Sequence, residues 1–355
     1  MGHRFSVKRR RATRAVGKMA EAKLRFGAFD HLDKSGAPIP DVYRQRLDLV
    51  EEYDRAGFYA FHLAEHHASP LGLAPSPSVF LAAVAARTKR LRFGPLVYTL
   101  PLYEPLRLIQ EIGMLDQMSN GRLEIGVGRG IVAFETAFFG LTHLDTAPRF
   151  DEALDLILHA LQTDRLTYEG KFWTYRNIPM EIPPFQRPHP PIWYGVGRPE
   201  HGDWTAARGM NIVANGSTDE CRAVFERYRE AGGRSDAFMG LSRHLVIADT
   251  MEEAERLMEP GYAQWRASLA KLWRDNGADP IRFPKDFAEA RARGLAIAGT
   301  PTHVAEELAK HADAATANYL LCRFAFGNMP EAAARRSLDL FVDQVASHFP
   351  GSLTP

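Results

Sequence analysis

Eight short apolar runs alternate with helical stretches along this chain, and that alternation limits the folds open to it more than any other feature. The runs cover 24–29, 58–63, 91–97, 123–127, 192–195, 211–214, 241–248 and 319–325. Helical patterns follow them at 41–56, 77–89, 105–118, 149–161, 200–208, 218–232, 301–312 and 331–349. Strands separated by helical crossovers run parallel and pair in one sheet. Eight such units close on themselves, so the expected fold is α/β, a (β/α)8 TIM barrel. An open doubly wound sheet is the alternative, but it wants its glycine signature after the first strand. Here the closely spaced Gly126, Gly128 and Gly130 follow the fourth. Residues 165–191 read as a polar excursion or short hairpin, and 250–297 as a helical insertion after strand 7.

The bulk chemistry narrows the setting. At 355 residues, with 45% hydrophobic and 25% charged, the chain has the composition of a soluble globular protein. Cys221 and Cys322 match no metal or redox spacing, which predicts a reducing, cytoplasmic environment. No apolar run approaches the roughly 20 residues of a membrane span, so no membrane partner is expected. The net charge of +1 hides an asymmetry. Residues 1–23 carry eight Lys and Arg and one acid, which leaves 36 basic and 42 acidic residues elsewhere, a net of −6. The head reads as a disordered basic tail ahead of one domain over 24–350, and no nucleic-acid partner is expected.

Working residues in such a barrel lie where strands end. After the second run come His62, Glu65, His66 and His67; after the third, Tyr98, Thr99 and Tyr103; after the fourth, Arg129; after the fifth, Gly197, Arg198 and His201. The histidines sit on a strand end and a loop rather than at one-turn helical spacing, so no metal site is expected. A structural cluster is one reading. The favoured one is an acid–base histidine tuned or oriented by Glu65, since imidazole titrates near neutral pH. In 122–130, Leu123, Ile125 and Val127 alternate as a strand does, the glycines leave bare backbone for a flat ligand, and Arg129 offers a planar cation to a phosphate. The stretch is not a dinucleotide fingerprint, because Ile131 stands where that pattern needs its third glycine.

Four motifs in register carry a resemblance: Glu65-His66-His67, the 87–91 stretch Arg-Thr-Lys-Arg-Leu, the 115–122 stretch Leu-Asp-Gln-Met-Ser-Asn-Gly-Arg, and Gly126-Val-Gly-Arg-Gly130. Together they resemble the bacterial luciferase-like flavin monooxygenases, over about 24–248 and again at Gly299-Thr300-Pro301. The resemblance implies a barrel that binds reduced FMN at the strand C-termini, takes electrons from a separate flavin reductase, and uses O2 to oxidise a small organic substrate. It puts His66 at the position of the catalytic histidine and Arg129 at that of the flavin-phosphate arginine. Gly197 and Arg198 match the phosphate loop after strand five, with Gly128 and Gly130 beside them. Leu96-Val97 falls at a non-prolyl cis peptide near the flavin ring. Family members also form homodimers, to which Val79, Phe80, Val84, Ile109 and Ile112 of the second and third helices would contribute.

Two departures qualify this. Gly128 stands where luciferase proper has a reactive cysteine, so luminescence with aldehyde substrates is not expected. His201 stands where relatives offer a hydroxyl, and an imidazolium there would donate to the phosphate in its place. The water-excluding cover is expected from 131–148 and 250–297, with Phe134, Phe138, Phe139 and Trp265. Two alternatives stay open: hydride transfer with the deazaflavin F420, and a non-catalytic flavin-binding protein.

Overall fold

The structure is a computed structural model that describes residues 24–279 and 282–354; the basic head lies outside them. Its strands are β1 (Arg25–Asp30), β2 (Ala60–Leu63), β3 (Arg92–Pro95), β4 (Tyr98–Thr99), β5 (Ile125–Gly128), β6 (Arg165–Glu169), β7 (Thr174–Pro179), β8 (Ile192–Val196), β9 (Asn211–Ala214), β10 (Met239–Ile247), β11 (Ala296–Gly299) and β12 (Tyr319–Arg323). Its helices are α1 (Ile39–Ala56), α2 (Pro77–Arg87), α3 (Pro105–Met118), α4 (Ala133–Phe138), α5 (His143–Ala160), α6 (Glu200–Ala207), α7 (Thr218–Glu230), α8 (Met251–Asp275), α9 (Phe287–Ala292), α10 (Pro301–Ala315) and α11 (Glu331–Leu340).

One sheet of parallel strands runs β3, β2, β1, β12, β10, β9, β8, β5, β4, with β11 beside β10. Its two ends meet. Tyr98 and Thr99 pair with Val127 and Gly128, while Phe93 bridges Leu123. So β3 and β4 are two pieces of one wall, interrupted at the cis peptide Leu96–Val97, and eight walls close the barrel. The antiparallel pair β6 and β7 forms the expected hairpin. Helices pack outside and bury the apolar flank of each wall: α1 contributes Val42, Leu49, Val50 and Tyr53, and α3 contributes Leu108, Ile109 and Ile112. Each such side chain contributes roughly 1.5–3 kcal/mol of burial. Among the described residues, no helix is long and apolar enough to cross a membrane.

The barrel is plugged, not open. Glu124 at its floor accepts from Tyr59 Oη (2.7 Å), the Arg92 guanidinium and the Trp193 indole. Trp193 stacks on Phe238 at 5.7 Å, and His62 Nε2 lies 2.9 Å from Tyr319 Oη. Phe29, Ala64, Leu96, Val213 and Leu321 fill the space around and above. The strand C-termini at the top are therefore where polar groups can gather over a closed base.

Three local expectations change. Helix α5 begins at His143 rather than near 149: Thr142 and Asp145 form a capping box, and Pro148 sits inside the helix. The strand β11, at the end of the 250–297 stretch and running on to Gly299, was not foreseen. Of the five residues offered for a two-fold interface, Phe80, Val84, Ile109 and Ile112 are buried in the core, and only Val79 stands out, 73% exposed.

Candidate active site

The loop after β2 is stapled down by Glu65. Its buried carboxylate accepts from Tyr103 Oη (2.5 Å) and from the Thr99 backbone N–H (3.3 Å), and pairs with His67 Nε2 (2.9 Å). The expectation that Glu65 orients His66 is thus corrected: it holds His67 and the next wall. His66 turns the other way, with Nδ1 3.0 Å from Glu135 Oε1, and both side chains are only 10% exposed. An ionised carboxylate only accepts, so Nδ1 carries the proton and Nε2 is left as an acceptor. Beside it His31 stacks at 5.6 Å between ring centroids. The turn bearing His31 is fixed by Arg46 of α1, 2.8 Å from Asp30 and 3.9 Å from Asp33. Burial pushes the Asp33 carboxyl up to about 7, and raises Asp30 against the pull of Arg46. Burial, with Arg323, His66 and His244 nearby, holds the pKa of His31 well below the usual imidazole range. His62 does not belong to this group; it points into the barrel, where burial lowers its pKa to about 3.

A second constellation forms at the ends of β5 and β8. Gly197 is its centre: its N–H donates to His201 Nδ1 (3.4 Å), and its carbonyl accepts from Arg282 Nη2 (3.0 Å). His201 packs edge-on to Tyr194 at 5.9 Å. Its pKa is lowered by burial and then by the positive charges of Arg198, Arg129 and Arg282, against the pull of Glu200. Arg129 also acts on Asp151 and Tyr194. The space over Gly195 is open. Basic groups converging on a backbone turn are what an anionic ester needs.

The glycines of β5 do something other than expected. An added Cβ at Gly126 would collide with the Pro95 carbonyl and Leu96, and one at Gly128 with Val97. They give up side chains to let the cis Leu96–Val97 segment lie close. Gly130, at φ +85°, turns the chain beside Thr99 and Thr136 into α4. Above the mouth, Trp265 and Tyr262 of α8 contact His31 and His244. Phe134 of α4 meets Trp273 of α8 edge-on at 5.4 Å. Ile131, Val132, Leu269, Trp273 and Arg282 line a pocket of about 180 Å³ between these segments.

Residues 24–318 match the luciferase-like monooxygenase family. The chain belongs to that family. This luciferase-like monooxygenase is 41% identical over 321 residues to the uncharacterized protein y4wF of Sinorhizobium fredii, covering 88% of this chain and 94% of that one. It is 28% identical over 243 residues to the oxygenase component of the flavin-dependent trigonelline monooxygenase of Acinetobacter baylyi, covering 65% and 67%. Among solved structures, its fold matches the oxygenating constituent of 3,6-diketocamphane monooxygenase of Pseudomonas putida, in complex with FMN, at TM-score 0.78 and 22% identity, over 94% of this chain and all of that one. It also matches the coenzyme F420-dependent tetrahydromethanopterin reductase of Methanopyrus kandleri at TM-score 0.66 and 20% identity, over 92% and all of the respective chains.

In this luciferase-like monooxygenase, the fold brings Arg129, Gly197, Arg198 and His201 together, and sets Leu96, Val97, Gly128 and Gly130 along the adjoining wall. His66 lies at the end of β2, two walls from β5. Sequence reasoning missed Glu135, Arg282, His31 and Arg323. Each lies in a covering segment or on a strand end whose partner is distant in sequence, and only Glu135, inside the expected cover 131–148, stood within reach of a guess. Of the expected cover residues, Trp265 is buried and Phe134 packs on α8, while Phe138 and Phe139 stand 57% and 49% exposed.

Proposed function

We propose that this chain is the oxygenase component of a two-component flavin monooxygenase. It takes reduced FMN from a separate flavin reductase and uses O2 to oxidise a small organic substrate. The observation that carries this reading is the basic cradle around Gly197 sharing one rim with the His66–Glu135 pair. The activities of the trigonelline and diketocamphane relatives, and the FMN bound by the latter, support it.

The residues fit the cofactor. Arg282 and His201 contact the Gly197 turn, Arg129 and Arg198 add their charge to it, and the space over neighbouring Gly195 is open, which suits a phosphate monoester. Arg129, Arg198, Arg282, His201 and Gly197 would hold the phosphate; Leu96, Val97, Gly128 and Gly130 would border the ring. Bound reduced FMN supplies the electrons that activate oxygen. The chain's own work is positional and protonic. Glu135 fixes the His66 ring by accepting from Nδ1–H, which leaves Nε2 to take a proton or, once protonated, to give one back. Trp265, Tyr262, Phe134 and Trp273 exclude water from the mouth.

The test is kinetic. Anaerobically reduced FMN is mixed with the protein, oxygen is admitted, and flavin absorbance is followed. Protein-dependent oxidation kinetics are expected; oxidation at the rate of free flavin overturns the reading. A parallel binding titration includes F420, because the fold is shared with an F420-dependent enzyme. Tight F420 binding without reduced-FMN binding would replace oxygenation with hydride transfer.

A further inference from the structure

The top layer of the barrel wall opposite the phosphate cradle is polar, and one residue in it has no partner of its own sign's complement. Tyr319, Leu321 and Arg323 alternate along β12 and face the interior, where Tyr319 and Leu321 belong to the packed plug. Arg323 is therefore the last inward residue of its wall. It is 2% exposed. Its Nε donates to Ser242 Oγ (2.9 Å) and its Nη2 to Asn215 Oδ1 (3.0 Å), both neutral. The guanidinium lies 4.5 Å over the Phe29 ring and 5.8 Å from the Trp265 ring.

No carboxylate among the described residues forms an ion pair with it. The acids that act on it, Asp33 and Asp30, are paired with Arg46. Burying a cation without a counter-charge costs several kcal/mol, and burial lowers this guanidinium to about 9. The surroundings repeat the pattern. The indole N–H of Trp265 and Nε2 of His244 are buried without a hydrogen-bond partner. The His244 and Trp265 rings are 4.5 Å apart, and His244 sits across from Arg323 in the strand register. Buried polar groups of native proteins are normally satisfied, so a cluster left open at a barrel mouth points to a ligand.

Its place in the barrel says which ligand. The basic cradle belongs to β5 and β8; β5 is four walls from β12 in both directions and β8 three in the shorter one. Arg323 lies over the Phe29 ring, which meets His31 edge-on at 4.9 Å, and His31 stacks on His66. The open cation thus stands on the candidate catalytic side and across the mouth from the cradle. We propose that Arg323, with the Trp265 indole N–H, forms a subsite for the carboxylate of the substrate, so that this enzyme acts on small organic acids. A carboxylate matches the planar fork of a guanidinium, and the aromatic rings of Phe29 and Trp265 provide an apolar seat for the attached group. The proposal depends on the monooxygenase reading only for what then happens to the acid.

The probes are benzoate and its neutral isostere benzamide, titrated calorimetrically into the full-length protein with and without FMN. Benzoate is expected to bind at least about tenfold more tightly, as for a charge-assisted hydrogen bond. Arg323→Gln is expected to abolish the preference and Arg323→Lys to keep most of it, with circular dichroism and melting checking that each is folded. Should Arg323→Gln fail to fold, Trp265→Phe removes the indole N–H with part of the ring, and is expected to weaken both ligands but benzoate several-fold more than benzamide. Equal affinities in the wild type overturn the subsite. So does an Arg323→Gln protein that loses FMN affinity yet keeps the benzoate preference, which would assign the cation to the flavin. A wild type that prefers benzoate but binds no FMN keeps the subsite and removes the monooxygenase reading; one that binds FMN without preference does the reverse.

Discussion

Replacing His62 by glutamine separates the barrel floor from the rim. His62 and His66 are one helical turn's count apart in sequence, yet one is plugged inside the barrel against Tyr319 Oη at 2.9 Å and the other faces Glu135. Burial alone lowers His62 from the usual 6.5 to about 3. The unfolded chain therefore takes up a proton near pH 6.5 that the folded protein refuses until near pH 3. A depressed imidazole pKa contributes stability fully above the unfolded value and loses it as pH falls toward the folded one. Between about pH 7 and about pH 5.5 the loss is about 1.3 kcal/mol for this one group. His62→Gln keeps a polar partner for Tyr319 and removes the titration. Urea or thermal unfolding of both proteins at both pH values measures the difference of differences. The wild type is expected to lose about 1.3 kcal/mol more than the variant, roughly 2 °C in Tm. His31 and His244, also lowered by burial, titrate in both proteins and cancel. A constant packing cost of the substitution cancels too. Equal acid losses in the two proteins would refute the assignment of His62 as a buried neutral group.

On the rim the expected effects are catalytic. His66→Ala is expected to lower turnover by roughly 10²–10⁴, and a loss under about tenfold would remove its acid–base role. Glu135→Gln, measured as kcat against pH with flavin affinity in parallel, is expected to cost about tenfold and to change the profile, since an amide can donate to Nδ1 and select the other tautomer. Arg129→Ala is expected to weaken FMN binding about tenfold while leaving riboflavin binding nearly unchanged, because only the phosphate contact is lost. Gly126→Ala is expected to destabilise the fold by at least about 1–3 kcal/mol in a denaturant titration, as its Cβ meets backbone at Pro95 and Leu96 rather than a movable side chain.

The barrel itself was legible because its signal is periodic. Apolar runs bounded by caps and turn residues mark walls and crossovers wherever local pattern and tertiary packing agree, and β9 and α3 fall at the expected residues. The motifs also placed Arg129, Arg198 and His201 on one rim, since strand ends are fixed once the walls are. What failed were pairings across the fold. Glu65 is adjacent to His66 in sequence, yet Glu65 faces Thr99 and Tyr103 while His66 faces Glu135. Glu135 comes 69 positions later, in a short helix whose six residues carry little pattern. Arg282 sits in an irregular stretch, and only its bond to the Gly197 carbonyl reveals a role. The expected start of α5 at 149 missed the Thr142–Asp145 capping box, which begins the helix at His143 and leaves Pro148 inside it.

One stretch of chain serves both constellations. Arg129 and Gly130 lead directly into α4, and α4 carries Glu135 to the His66 ring and Phe134 to Trp273. Anything that grips the arginine also pins the helix that aims the imidazole and anchors the roof. Under the proposed function, a flavin phosphate held by Arg129 would bear on the same segment that carries Glu135 to the His66 ring, so the cofactor's tail and the imidazole would be mechanically joined.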